Sequence, residues 1–392
     1  MPATLRVVLD QVVAQTDADL ATASRELTRA LVATAPAGCE VAAIVPAVAD
    51  AAGLVESAAP GLADLTRTSL ARRELAAAWQ LGVVSGVGGG MIHSPTLLAP
   101  LVKHDRVHDH DQTVVTLWDL TAWEHPAELG RTAVAWQRAM LKRAVRYADA
   151  VVVPTHGFAE RLTGLTSATA ALGDRIRVIA GAAPAGFAVP TDEVGRRRAL
   201  GVPDGFLLVA GSSAGSARLV DAFAAIARAG ADLPVVVLDA PDGDEPAVVE
   251  LAAAAGLGEG RVHVRGALED ADRAAVFGGA VAFLAPATRT AFPWRVVEAL
   301  AVGVPVIAAD TTSHRDVVID GGLLVGGTDA DASRPAAERG AGESADALAG
   351  ALADVLASTA AVERYAVLAG DRGRAFSWLS SAERVWQLHA DL

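Results

Sequence analysis

The sequence predicts an α/β protein built from two Rossmann-like, doubly wound domains. Three observations lead there. Short apolar runs rich in Val, Leu and Ile alternate with longer Ala/Leu-rich segments of helical composition, the signature of βαβ units. The runs are apolar throughout and not alternately polar, as expected of parallel strands covered on both faces by helices. The series also breaks once, in a Gly/Pro/Ala-rich passage, and then resumes, so 392 residues divide into two domains of ordinary size.

In chain order, the first series reads "RVVLDQVV" (6–13), "EVAAIVP" (40–46), "TVVTLWDL" (113–120) and "AVVVP" (150–154), each expected to be a strand. The break is "GAAPAGFAVPTDE" (181–193), which sets a hinge near 183–195 and domains of 1–183 and 184–375. The second series reads "FLLVAGSS" (206–213), "LPVVVLDAP" (233–241), "RVHVRG" (261–266), "AVAFLAPA" (280–287) and "VPVIAAD" (304–310). The stretch "GGTDADASRPAAERGAGES" (326–344) has the Gly and Asp content of a surface loop. Ligands of doubly wound sheets bind beyond the carboxyl ends of the strands. Residues just after strands are therefore the site candidates: His93, Asp119, Thr155, Ser212, Ser213 and the turn before Glu298.

Composition narrows the function. The balance of 33 basic to 46 acidic residues gives a net charge of −13, which disfavours nucleic-acid binding, since that needs basic surface. Cys39 is the only cysteine, so no disulfide can close within the chain and no cysteine-based zinc site can form. The opening "MPATLRVVLDQVV" lacks the pattern of a signal peptide, and no apolar run reaches the ~18 residues of a membrane span. The expectation is a cytoplasmic protein. "KHDRVHDHDQ" (103–112) groups His104, His108 and His110 with Asp105, Asp109 and Asp111; a metal site and a solvated polar connection are both readings of it, and the second is preferred.

From 205 to 325 the order of features resembles the retaining glycosyltransferases of the GT-B fold, family 4 group. "FLLVAGSS" looks like that family's first C-domain strand and phosphate turn. "WRVVEALAVGVPVIAADTTSHRDVV" looks like its "LEAMACGVPVIAS...PEVV" segment, and "GGLLV" like its "AGLLV". The N-terminal half is similar more loosely: "RELTRAL" (25–31) to the first helix, "GGMIHSPTLLAP" (89–100) to a "VVHAPS" turn, and "TVVTLWDLTAWEHP" (113–126) to "VVTVHDLAPLRHP". "AFSWLSSAERVWQLH" (375–389) looks like the closing helix that returns to the N-domain, so residues 376–392 are expected to complete the first domain.

The resemblance implies two domains facing across an interdomain cleft, an NDP-sugar donor held mainly by the C-domain, and a glycan, lipid-linked or small-molecule acceptor on the N-domain. It implies no cofactor and no metal. Leaving-group departure demands that the diphosphate charge be held by backbone amides, helix N-termini and Lys/Arg. On this pattern Glu298 grips the ribose hydroxyls, because one carboxylate accepts two hydrogen bonds. His93 looks like the active-site histidine near the reacting sugar, and Asp119 stands where the family has an Asp, although Trp118 replaces the histidine before it. The donor-binding set is Gly211, Ser212, Ser213, Arg218, Thr290, Phe292, Arg295 and Glu298.

Departures from the pattern bear on activity. Thr290 stands where the family has an earlier glutamate, Pro293 has no N–H to give a phosphate, and the Arg/Lys pair after the first turn is missing; Arg218 is the only cation there and is expected on the following helix. Two functions stay open: a retaining, metal-independent hexosyltransferase, and a catalytically impaired homologue that acts as a binding or scaffold partner. A related two-domain fold such as a nucleotide-sugar epimerase is a third, weaker reading. The basic helical stretches with Arg67, Arg72, Arg73 and Trp79, and with Arg138, Lys142, Arg146 and Trp136, leave peripheral contact with an anionic inner membrane face open as well.

Overall fold

A computed structural model describes residues 2–84, 86–106, 108–258, 260–326 and 343–392. The expected loop at 326–344 lies, apart from its ends, outside these residues. The chain separates into two compact units, residues 1–181 with 377–392, and residues 182–376.

The first unit is built on a seven-stranded sheet, all parallel, in the order β3-β2-β1-β4-β5-β6-β7. Its strands are β1 (Ala3–Val8), β2 (Cys39–Val45), β3 (Leu65–Arg67), β4 (Met91–Ser94), β5 (Gln112–Thr116), β6 (Ala150–Val153) and β7 (Ile176–Val178). The second unit carries six parallel strands, β8 (Phe206–Ala210), β9 (Val235–Leu238), β10 (Val262–Val264), β11 (Ala280–Ala285), β12 (Val306–Ala309) and β13 (Gly322–Val325). Their order is β10-β9-β8-β11-β12-β13. Both orders reverse once, between β1 and β4 and between β8 and β11, so each sheet is doubly wound.

Burial explains the uniform apolarity of the strands. Phe206, Leu207, Leu208 and Val209 of β8 are all fully buried, as are Val235 to Leu238 of β9, because helices cover both faces. The second core gathers Leu207, Phe223, Ile226, Val237, Leu284 and Leu352. The final helix, Trp378–Asp391, packs in the first unit: the Trp386 indole donates to Leu31 O at 3.1 Å and Ser381 Oγ to Ala180 O at 2.7 Å. On the two basic helices the apolar side faces the core, with Leu75 and Trp79 buried on Arg72–Leu81 and Met140, Leu141 and Ala144 on Arg131–Tyr147. Among the described residues no single helix is long and apolar enough to cross a membrane.

Three expectations need correction. The run 6–13 is not one strand: β1 ends at Val8, and Asp10–Val13 turn into a short helix. Asp10 is fully buried and salt-bridged to Arg72 at 2.8 Å, and this polar anchor breaks what reads as continuous apolar sequence. His93 does not follow a strand but lies within β4, in register with Val7 and Val114. Arg218 is not on the next helix; it stands just before Leu219–Arg228 in the left-handed region, at φ 54°.

Candidate functional site

In a doubly wound sheet the strand-order reversal opens a crevice at the carboxyl ends of the two diverging strands. In the second unit those strands are β8 and β11. The turn after β8 is Gly211-Ser212-Ser213. Gly211 has φ +138°, a conformation that L side chains rarely adopt, and a Cβ there would meet Ala217 Cβ at 3.1 Å. The Ser216 carbonyl accepts from Thr288 N–H at 3.2 Å, tying this loop to the one that follows β11.

The turn after β11 leads into the helix Trp294–Ala301, which carries Arg295 and Glu298. Pro293 takes the N-cap position. The amides of Ala291 and Trp294 donate to Arg289 O and Phe292 O at 3.1 and 3.0 Å, so this turn bonds to itself. The Phe292 ring is buried and packs edge-on against Trp294, centroids 4.6 Å apart. Thr290 is buried as well, whereas Arg289 is exposed.

Glu298 sits at the centre of a buried charge network. Its Oε1 accepts from Arg273 Nη2 at 2.9 Å, from Arg273 Nε at 3.1 Å and from Arg295 Nη1 at 2.9 Å, and its Oε2 accepts from Arg273 Nε at 3.0 Å. Arg273 comes from the helix Asp270–Gly279 and also donates to Asp270 Oδ1 and Leu268 O, both at 2.7 Å. Arg295 reaches in addition to Asp239, which directly follows β9 with φ 62°. Burial works against the Arg273 charge, but Glu298 and Asp270 outweigh both burial and the repulsion of Arg295, and hold its pKa above the ordinary value.

The phosphate-turn candidates are likewise engaged. Ser213 donates its N–H and its hydroxyl to the two oxygens of Asp244, at 2.7 and 2.5 Å. The Ser212 hydroxyl accepts from Ala214 N–H at 3.3 Å. Arg218 pairs with Asp221 at 2.6 Å.

In the first unit the reversal lies between β1 and β4. His93 is fully buried there. Its ring meets His389 of the final helix edge-on, centroids 5.6 Å apart, with His389 Nε2 3.4 Å from His93 Nδ1. Burial, with a smaller contribution from His389, pushes the His93 pKa well below the usual histidine value; burial lowers His389 to about 4. Asp119 accepts both the N–H and the hydroxyl of Thr121, at 2.6 and 2.8 Å, closing the turn after β5. Thr155 caps the helix His156–Leu165 by accepting from Phe158 N–H. Asp10 follows β1, and burial raises its pKa against the opposing charge of Arg72.

The structure thus brings together Glu298 and Arg295, and joins the turns that hold Ser213 and Thr290. Sequence reasoning passed over Asp239, Asp244, Arg273 and Asp10. Asp239 and Asp10 carry a signal, a lone acid where an apolar run ends. Asp244 and Arg273 carry none, because their partners are 31 and 25 residues away. In the 103–112 stretch, His104 pairs with Asp149 and His108 with Asp105, each at 2.8 Å; among the described residues no group of three or more His, Cys, Asp or Glu could hold a metal ion.

Residues 210–339 match the family model of the glycosyl transferases group 1. No curated protein sequence is detectably similar to the chain. Among solved structures, a sucrose-phosphate synthase from Thermosynechococcus elongatus superposes with a TM-score of 0.67 at 20% identity, covering 99% of this chain and 98% of that one. Anabaena HepE in complex with UDP and glucose gives a TM-score of 0.68 at 16% identity, with 100% of both chains covered. A glycosyltransferase from Rickettsia africae gives 0.65 at 12% identity, covering 100% of this chain and 98% of that one. Residues 210–339 are thus similar to the glycosyl transferases group 1, and the likeness along the chain's whole length shows the two-domain α/β fold of the GT-B type.

Proposed function

We propose that the protein transfers a hexosyl group from a nucleoside-diphosphate sugar to an acceptor hydroxyl, with retention of configuration and without a metal ion. The observation that carries this reading is a coincidence in the second unit. The segment that matches the family also holds the Gly211–Ser213 turn and the buried Glu298 network, at the strand ends where doubly wound sheets bind ligands. The similar Anabaena protein is described with UDP-glucose, which supports a nucleotide-sugar donor.

In this reading the diphosphate lies on the Gly211–Ser213 turn, with Arg218 beside that turn and Arg295 on the helix after β11 as nearby cations, and Thr290 and Phe292 line the sugar end. Glu298 takes the ribose. Because its carboxylate now serves two guanidinium groups, donor binding exchanges part of that contact for vicinal hydroxyls. The freed arginine then turns to phosphate, where a guanidinium matches the oxyanion geometry. His93 and Asp119 belong to the acceptor unit, His93 as a neutral imidazole. The leaving phosphate assists front-face transfer. The test is incubation with UDP-, GDP- and ADP-sugars and a panel of sugar and lipid-linked acceptors, scoring nucleoside diphosphate release and the anomeric configuration of the product by NMR. Absence of turnover with every donor would overturn the enzymatic reading.

One observation favours a second reading, a binding or scaffold partner of an active transferase. Three guanidinium groups around the candidate donor turn are matched by acids of their own unit, Arg218 by Asp221, Arg295 by Asp239 and Arg273 by Asp270, while Arg289 of the turn after β11 is exposed. A diphosphate must compete with those carboxylates. Nucleotide binding without turnover, or no nucleotide binding at all, is the outcome this reading requires.

A further inference from the structure

The first unit holds a cavity of about 580 Å³ at the amino ends of β5, β6 and β7, the opposite edge of the sheet from His93 and Asp119. Five permanent cations line it: Lys103, Arg106, Arg146, Arg175 and Arg177. Three side-chain carboxylates, Asp149, Asp174 and Asp391, line it too. This excess of positive charge stands on a chain whose net charge is −13.

The internal contacts sharpen the imbalance. Asp149 is taken up by His104, at 2.8 Å, and by Thr113 N–H at 2.7 Å; the bond to Asp149 raises the His104 pKa towards the charged form. Arg175 is fixed as a wall, donating to Ala148 O at 2.9 Å and Val145 O at 2.8 Å. Arg146 lies over the Tyr147 ring, 5.1 Å from its centroid. Lys103, Arg106 and Arg146 form no ion pair among the described residues. They come from two different elements, a loop and a helix end, and line one space. Lys142, one helical turn before Arg146, is exposed and extends the positive surface outward.

From this we infer that the cavity is an anion site for a phosphate-bearing ligand carrying at least two negative charges. Guanidinium forks pair with phosphate oxygens bidentately, and several cations held close together at a sheet edge repel each other until an anion joins them. A soluble phosphate ester and the phosphate of a lipid head group share this chemistry.

The test uses the full chain with inorganic pyrophosphate in a calorimeter, and with vesicles of phosphatidylglycerol against phosphatidylcholine in sedimentation. The comparison variant is Arg106→Glu with Arg146→Glu; both residues are exposed, so its melting temperature should match the parent's. The expected result is saturable, salt-sensitive binding of pyrophosphate, or of the anionic vesicles alone, weakened at least tenfold in the variant. The first pattern identifies a soluble ligand and the second a lipid head group. Two results overturn the inference. One is no binding of either probe. The other is binding that survives the double variant but disappears when UDP saturates the protein, which assigns the anion to the Gly211–Ser213 turn instead.

Discussion

Glu298 and Arg273 meet through three N–H···O contacts of 2.9 to 3.1 Å, with side-chain exposures of only 3% and 8%. Removing one partner of a buried pair costs up to about 3–5 kcal/mol, and less here, because Arg295 still reaches Glu298 and Asp270 still reaches Arg273. Arg273→Ala and Glu298→Ala should therefore each lower the unfolding free energy, and with it the urea midpoint. The double variant Arg273→Met with Glu298→Leu should cost clearly less than the sum, because it removes both members of the buried contact at once. Additive losses in urea titrations would show that the pair is not coupled.

Asp244 holds the two Ser213 donors that, in the proposed function, a phosphate would use. Replacing it with alanine removes both the competing acceptor and its negative charge. Nucleoside diphosphate should then bind about tenfold more tightly, equivalent to 1.4 kcal/mol. Calorimetry on Asp244→Ala against the parent reads this directly. Weaker binding would mean that the carboxylate organises the turn and does not compete for it.

The His93–His389 contact makes stability depend on pH in a definite direction. Both imidazoles have pKa values lowered by burial, His389 to about 4, so the folded state binds fewer protons than the unfolded chain. Their contribution is complete above the ordinary histidine value of ~6.5 and is lost as pH falls through the folded value. For His389 the loss between pH 6.5 and 4 amounts to about 3 kcal/mol. Unfolding curves at pH 7, 5.5 and 4.5 should show this slope, and His389→Gln should flatten it. Asp10, whose pKa is raised, acts with the opposite sign at the acid end and is common to both proteins. Identical slopes in parent and variant would remove His389 from the account.

Gly211 combines φ +138° with a neighbour 3.1 Å from where a Cβ would stand. Gly211→Ala should destabilise the second unit by about 1–3 kcal/mol, the usual cost of forcing a side chain into such a backbone region. It should also weaken nucleotide binding, since the turn must shift. Thermal melting with and without UDP checks both effects, and an unchanged melting temperature would show that the turn adapts freely.

Legibility followed length and locality. Strands such as β8 and β11 are buried on both faces and show as unbroken apolar runs. The three-residue strands β3 and β7, at the sheet edge and only partly buried, leave no such run and went unread. Within the candidate site, Glu298 and the Gly-Ser-Ser turn stand out in the sequence because they come after strands in a recognisable order. That Arg295 serves Asp239 and Glu298 was not, because a side chain's partner is chosen by three-dimensional proximity.

By itself the sequence determined two parallel α/β units and a net acidity unsuited to nucleic acid. These follow from local rules, since apolar periodicity and strand-to-helix spacing decide which faces must be buried. Only the tertiary structure decided how the charges are satisfied: Asp244 on Ser213, Arg273 on Glu298, His389 against His93, and five cations around one cavity. Electrostatic partners separated by 25 to 296 residues meet only once the sheets have formed, and burial then fixes what each contact is worth.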